Sequence, residues 1–453
     1  MKSVKGVDLR RAAREIFDAA LKSVNAHDAV RRAVRLDGSH LSICETTFEL
    51  EKRSGGIYAL AIGKAALPMA VALDEILGEK IRAGLIVAPD NPNKKSLTRW
   101  RHHKGAHPLP DESSLRAARD SFELLERANE ERAFVIFLIS GGGSAMIEWP
   151  RDESVTLANL RMANRALVSC GASIAEINAV RRAFSAVKGG KLAARAPEAD
   201  QVSLIISDTG VGQESIVASG LTYPPPPDAP DAASVIERYK LADVLPAPIM
   251  NTINQPQESD AEISRDRLRE HYVLLDNGSA LEAAAAEARR RGFAVEVARD
   301  ISEQPIEEGC ALMLARLSEL RGRAAESNKI ACLISGGEFS CPVRGDGRGG
   351  RNAETVLRCA IEIDEQLKRA ETQLNFNQLA MLSAGTDGID GNSRAAGAVG
   401  DATTLARARE MHLDARDFLA RSDAYNFFDS LGDAIMTGAT GTNVRDLRVM
   451  LAV

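Results

Sequence analysis

The sequence predicts an α/β fold, an open and mostly parallel sheet with helices on both faces, from three observations. Short apolar runs rich in β-branched and aromatic residues, closed by Gly, Ser or Asp, recur at Ile57 to Lys64, Phe134 to Ala145, Val202 to Asp208, Tyr272 to Gly278, Ile330 to Gly337 and Leu379 to Gly388. Bounded runs of this kind read as buried strands. Most are followed by Ala-rich segments of helical period, and strand alternating with helix is the pattern of a parallel sheet. The glycine-bearing turns would then lie at the carboxyl ends of the strands, where such sheets bind ligands.

Bulk properties narrow the function. A chain of 453 residues exceeds one ordinary core, so two domains are expected. With 45% hydrophobic but only 4% aromatic residues, the helices should pack through Ala and Leu. A net charge of −6 argues against nucleic acid as a partner, because neutralising phosphates requires a basic surface. Cys44, Cys170, Cys310, Cys332, Cys341 and Cys359 are scattered without a C-x-x-C pair, which disfavours a disulfide scaffold and a zinc site. Asp8, Glu15 and Asp18 lie among the N-terminal arginines, a composition unlike a targeting signal. No apolar run approaches the length of a membrane span. The expectation is a soluble, cytoplasmic protein with no membrane partner.

Taken in order, Leu9 to Val34 has helical spacing and reads as one or two amphipathic helices. The strand from Ile57 ends at Gly63-Lys64, a lysine able to reach a bound anion. It is not a P-loop, since Tyr58 stands at the first loop glycine and Ala65 at the Ser/Thr that would hold Mg²⁺. Trp100 to Pro110 contains His102, His103 and His107 and reads as a structural loop rather than a metal site. Asp111 then caps a helix running through Leu125. The turn Ser140, Gly141, Gly142, Gly143, Ser144 leaves backbone N–H groups unobstructed, and a following helix would aim its positive end at the same anion.

Val155 to Leu167 and Ile174 to Val187 read as helices. The second ends at Lys188 and Lys191, which serve either the helix dipole or a neighbouring pocket. Asp208, at a strand end, could hold Mg²⁺ or accept a hydroxyl proton. Gly210-Val211-Gly212 resembles a dinucleotide fingerprint, but Ser215 and the run Pro224 to Pro227 leave no room for its helix. The Pro-rich stretch is a loop, and a domain boundary is expected near Gln257 to Arg265, dividing the chain into 1–262 and 263–453. Strand and helix resume at Tyr272. Ser335, Gly336, Gly337 and Glu338 lead into Arg344 to Glu354, where arginines interleave with glycines in a loop suited to a triphosphate or carboxylate. Asp387 and Asp390 close another strand, a carboxylate pair suited to Mg²⁺ or proton transfer. Thr437 to Asn443 is a further small-residue turn.

Together these segments resemble the class II glycerate kinases, the glycerate 2-kinase family whose C-terminal region is the MOFRL domain. The matching pieces are Ala61 to Ala65, Gly105 to Asp111, Ser140 to Ala145, Asn178 to Lys191, Ser335 to Glu338, Gly349 to Asn352, Ser383 to Gly388 and Thr437 to Asn443. The resemblance implies a Rossmann-like parallel-sheet N-terminal domain, a smaller α/β C-terminal domain, and a site in the cleft between them. It also implies phosphorylation of D-glycerate to 2-phosphoglycerate with ATP and Mg²⁺, and leaves a homodimer open. Lys64 and Arg351 fall on the family's proposed active-site cations, which would neutralise the γ-phosphoryl group or the glycerate carboxylate. Ser140 to Ser144, Lys191, Ser335 to Glu338 and Asn352 would bind substrate or phosphate. Asp208, Asp387 or Asp390 would hold Mg²⁺ or take the hydroxyl proton, with Asp208 placed among the catalytic groups and Asp387 and Asp390 at the metal. Departures are Ala353 in place of Gln, Asn392-Ser393-Arg394 in place of Pro-Thr-Asp, and Leu221 in place of Pro. The alternatives are an NAD(P)H-dependent hydroxypyruvate reductase, whose fingerprint is absent, and a noncatalytic sugar-acid-binding module.

Overall fold

The computed structural model describes residues 7–50, 55–89, 97–210, 212–256, 267–369 and 378–453. They divide into two compact units, one formed by 26–275 and the other by 1–25 together with 276–453. The boundary expected near 257–265 lies outside the described residues; the division itself falls between Leu275 and Asp276.

In the unit 26–275, a hairpin sheet of β1 (Val34–Asp37), β2 (His40–Ile43) and β3 (Thr46–Glu49) precedes the main sheet. The main sheet contains β4 (Gly55–Ile62), β5 (Ile81–Ala88), β6 (Trp100–Lys104), β7 (Ala133–Ser140), β8 (Asp200–Ile206) and β9 (Arg269–Leu275). Its order is β6-β5-β4-β7-β8-β9 and every pairing is parallel. The chain starts in the middle, winds outward to β6, then returns to β7 on the other side of β4. This reversal leaves a crevice at the carboxyl ends of β4 and β7, the place where doubly wound sheets bind ligands. All eight residues of β7 are buried, as a strand covered on both faces requires.

The histidine-bearing stretch differs from its expectation as a loop. Trp100–Lys104 pairs in parallel with β5, because an edge strand needs hydrogen bonds on one side only and tolerates the prolines that follow it. Tyr272 to Leu275 likewise ends the first sheet rather than opening a second one.

The helices of this unit are α2 (Ala26–Ala33), α3 (Ala66–Leu77), α4 (Glu112–Glu130), α5 (Gly143–Met146), α6 (Leu157–Ser169), α7 (Ile174–Phe184), α8 (Ala232–Arg238) and α9 (Ala247–Asn254). Asp111 caps α4 in a capping box with Ser114, as the sequence predicts. The apolar faces of α6 to α9 gather into a cluster of their own, built on Leu160, Leu167, Val180, Phe184, Ile236 and Ile249.

The other unit holds β10 (Ala294–Val297), β11 (Ala331–Gly337), β12 (Leu379–Gly385), β13 (Gly397–Asp401), β14 (Ala434–Ile435) and β15 (Asp446–Ala452). Here the parallel pattern is broken, since the order is β10-β11-β15-β12-β13-β14 and β15 runs antiparallel between β11 and β12. The two flanking strands therefore point the same way. Asp446, the first residue of β15, falls level with Gly337 on one side and Gly385 on the other.

Helices α1 (Leu9–Ser23) and α10 (Asn277–Arg290) cover one face of this sheet. α11 (Ile306–Glu326), α12 (Arg351–Arg369), α13 (Thr404–Glu410), α14 (Ala415–Ala420) and α15 (Ala424–Ser430) cover the other. The N-terminal helix belongs here because Leu9, Ala12, Ala13, Ile16, Phe17 and Ala20 form one buried stripe against α10, β12 and β15. Truncating Phe17, 1% exposed, to Ala should destabilise this unit by about 3–5 kcal/mol in chemical denaturation. An unchanged midpoint would show that the stripe does not anchor the helix.

Candidate active site

In the unit 26–275 the functional groups sit on the loops that leave β4, β7 and β8. The two central loops are tied to each other. The backbone N–H of Lys64 donates to Gly141 O at 2.9 Å, and that of Ala65 donates to Ser140 Oγ at 3.0 Å. Ser140 is fully buried by this role, so its hydroxyl braces the loops from beneath. A Cβ on Gly141 would lie 1.9 Å from Asp208 Oδ2, so only glycine lets the turn pass the carboxylate. Gly142 takes φ +81°, and its Cβ position lies 3.2 Å from Lys64 Cγ and 3.5 Å from His107 Cδ2. Lys64, His107, Asp208 and the glycine turn thus meet at the reversal point of the sheet. His107, which precedes a cis proline, was not singled out in the sequence as part of this site.

The helix expected after the turn is α5, a single turn of four residues. Its dipole is correspondingly small, and any anion binding here rests on the turn's own amides and on Lys64. Ser144 Oγ pairs with Ser219 Oγ at 2.8 Å, whose hydroxyl also donates to Asn178 Oδ1 at 2.9 Å. Lys191 donates to Arg182 O and Ser185 O at 2.7 and 2.9 Å, closing the carboxyl end of α7. Of its two assigned readings, the helix end is the one these contacts serve. Lys188 is fully buried, donates to Ser144 O at 3.0 Å and forms an ion pair with Glu148. Burial pulls the Lys188 ammonium below its ordinary value, and Glu148 opposes that shift.

In the second unit the expected residues converge on Asp446, which sequence order alone does not mark. Arg351 Nε donates to Asp446 Oδ2 at 2.5 Å and its Nη2 lies 2.8 Å from Glu338. Asn352, also buried, donates to Asp446 Oδ1 at 2.9 Å and accepts from Ser383 Oγ at 2.6 Å. Burial works against the charged Arg351, but Asp446 and Glu338 outweigh it and hold the guanidinium firmly protonated.

Asp390 accepts the backbone N–H groups of Asn352 and Ala353 at 2.9 and 2.8 Å, one on each oxygen. It therefore acts at the amino end of α12, and Ala353 serves through its backbone. Burial outweighs these two donors and pushes the Asp390 carboxyl up to about 6. Asp387 lies one turn earlier, with Oδ1 accepting from Ile389 N at 3.1 Å. Arg394, the charge-reversing departure, turns to Tyr425 and donates to its hydroxyl at 2.7 Å.

Ser335, Gly336 and Gly337 differ most from their expected phosphate-binding role, because all three belong to β11 and are paired with β15. Ser335 Oγ is buried against Met313, and the Gly337 N–H is taken by Asn277 Oδ1 at 3.0 Å. Behind them lies Arg448, a buried cation that donates to Gly336 O and, at 3.2 Å, to Gly337 O. Its guanidinium stacks 3.5 Å over Phe339, and burial lowers its pKa to about 10. Glu338 is the one member of the motif that emerges beside Arg351.

Residues 12–254 match the family described as a domain of unknown function, DUF4147, and residues 331–446 match the MOFRL family. A D-glycerate 2-kinase of Thermotoga maritima is 33% identical over 88% of this chain and 91% of its own length. A glycerate 2-kinase of Pyrococcus horikoshii is 30% identical over 98% of each chain. The crystal structure of glycerate kinase from Thermotoga maritima superposes with a TM-score of 0.78 at 30% identity, covering 98% of this chain and 99% of that one.

The raised Asp390 carboxyl has a consequence for stability. The folded state holds this proton more tightly than the unfolded chain does, so the contribution is greatest at low pH and is lost as pH rises through about 6. Asp390→Asn cannot ionise. Its stability relative to the parent should improve by about 2 kcal/mol between pH 4 and pH 7, as read from urea midpoints. A difference independent of pH would mean that the Asp390 carboxyl is not raised by folding.

Proposed function

Because this chain belongs to the glycerate kinase family, we propose that it transfers the γ-phosphoryl group of ATP to the 2-hydroxyl of D-glycerate, giving 2-phosphoglycerate and ADP. The observation that carries this reading is the reversal point of the parallel sheet. There a lysine, a triple-glycine turn and a carboxylate are gathered by loops hydrogen-bonded to one another. Phosphoryl transfer asks the protein for positioning and charge neutralisation more than for covalent chemistry.

Lys64 neutralises the transferring phosphoryl group or the glycerate carboxylate, and the Gly141 to Gly143 amides hold an anionic oxygen. Asp208 accepts the proton of the 2-hydroxyl as the new P–O bond forms. In the other unit, Arg351 pairs with an anionic oxygen of a phosphate or carboxylate. Its partner Asp446 is 1% exposed and keeps the guanidinium in place, whereas Glu338 is 35% exposed and is the partner that a phosphate can displace.

Magnesium, when bound, would neutralise the β- and γ-phosphates. Among the described residues no three His, Cys, Asp or Glu side chains gather into a metal cage. Mg²⁺ held through phosphates and waters needs only one or two carboxylates, and Asp387 offers oxygen ligands of that kind. Asp390 is buried and accepts a backbone amide on each oxygen, a role at the amino end of α12 that favours Asp387 as the metal-facing carboxylate.

The direct test is ADP release from ATP, Mg²⁺ and D-glycerate, with phosphorus NMR to distinguish the 2- from the 3-phosphate. NAD(P)H absorbance should stay constant with hydroxypyruvate; its loss would favour the reductase reading. Lys64→Ala and Arg351→Ala, each with an unchanged circular dichroism spectrum, should lower kcat/KM by roughly 10²–10³. A folded Lys64→Ala protein with full turnover would remove the central cation from this scheme.

A further inference from the structure

Beside the glycine turn lies a buried charge cluster that does not balance. Glu148 and Lys188 are each 1% exposed and paired, and both Glu148 oxygens are engaged. Oε1 accepts from Ser185 Oγ at 2.6 Å and from Trp149 N at 3.1 Å, while Oε2 takes the Lys188 ammonium. A third charge, Arg181, acts on both members of the pair. Its Nε is buried and finds no hydrogen-bond partner among the described residues. One carboxylate against two cations leaves a surplus positive charge, carried by the half-buried Arg181, whose Nε is shut off from water without a partner among the described residues.

The helix end does not explain Arg181. A cation in the last turn of a helix ordinarily serves the terminal carbonyls, but at α7 the carbonyls of Arg182 and Ser185 are taken by Lys191. Position is informative as well. Arg181 stands three residues after Asn178, on the same side of the helix. Asn178 is joined through Ser219 to Ser144 of the glycine turn, and Lys188 is joined directly to the Ser144 carbonyl. The surplus charge therefore belongs to the turn that the phosphotransfer reading uses.

We propose that Arg181 is an anion-binding residue of the site at Ser140 to Ser144, where its guanidinium pairs with the anionic end of a substrate, a carboxylate or a phosphate. The bound anion supplies the negative charge that the Glu148–Lys188 pair leaves wanting, and a guanidinium fork suits either group. The inference rests on the kinase reading for the identity of its substrates, but not for the existence of the anion site.

The test uses the full chain, with Arg181→Met and Arg181→Gln checked for native circular dichroism. D-glycerate, ATP and inorganic phosphate are titrated separately by calorimetry, and KM and kcat are measured for both substrates. Loss of one charged hydrogen-bonding partner should weaken binding of one anion by about tenfold or more and leave the other substrate nearly unaffected. A rise confined to D-glycerate identifies the carboxylate; a rise for ATP and inorganic phosphate identifies the phosphate. Either result supports the proposal. Arg181→Lys should recover part of the loss, because it restores the charge without the fork. A folded variant that binds all three anions like the parent overturns it, as does a uniform fall in kcat with every affinity unchanged. If the parent protein transfers no phosphate yet loses anion binding with Arg181, the kinase reading fails and the anion site stands.

Discussion

Asp446 carries a charge into the middle of a sheet, and the second unit's candidate site is built around it. A carboxylate that is 1% exposed is tolerable only when its oxygens are well paired. Here Arg351 and Asn352 supply the pairing from the first turn of α12. The same interaction fixes the direction in which Arg351 presents its remaining donors. Because β15 is inserted antiparallel, its first residue arrives at the ends of β11 and β12, whereas a parallel strand would have delivered its last residue there. Behind it, Arg448 uses the carbonyls of Gly336 and Gly337, so the strand end beside Glu338 is held from within the core.

The unit 26–275 solves a similar problem with neutral groups. Its two central loops bond to each other through Lys64 N, Ala65 N, Ser140 Oγ and Gly141 O, and the glycine at 141 makes room for Asp208. Rigid strands on both sides then position a lysine and a carboxylate beside the turn. The charged elements lie one layer further back, where Lys188 donates to the Ser144 carbonyl and pairs with Glu148. Both units thus set their candidate site groups on a buried, hydrogen-bonded support, the arrangement that preorganised charge stabilisation requires.

Much of this was legible in the residues. Strands ending in glycine predicted β4, β7, β8, β11 and β12, and placed Lys64, Gly141 to Gly143, Asp208 and Arg351 on their carboxyl-terminal loops or the helix that follows. Such residues are readable because glycine, lysine and aspartate at strand ends report a local backbone requirement. Ser335, Gly336 and Gly337 look like an open turn in the sequence, whereas here they continue β11 beside β15 and the Gly337 N–H is taken by Asn277. Asp390 was legible as an important acid, and only its partners show that it caps a helix.

By itself, then, the sequence determined the class of fold, the glycine turns at the strand ends and the cations beside them, since each is encoded by residues close together in the chain. Tertiary structure decided what depends on distant pairing. It assigned α1 to the second unit because the burial of its stripe is completed by α10 and by β12 and β15. It placed Asp446 between Gly337 and Gly385, and it paired Lys188 with Glu148. Strand direction and charge balance are properties of neighbours in space, and no local pattern of side chains specifies them.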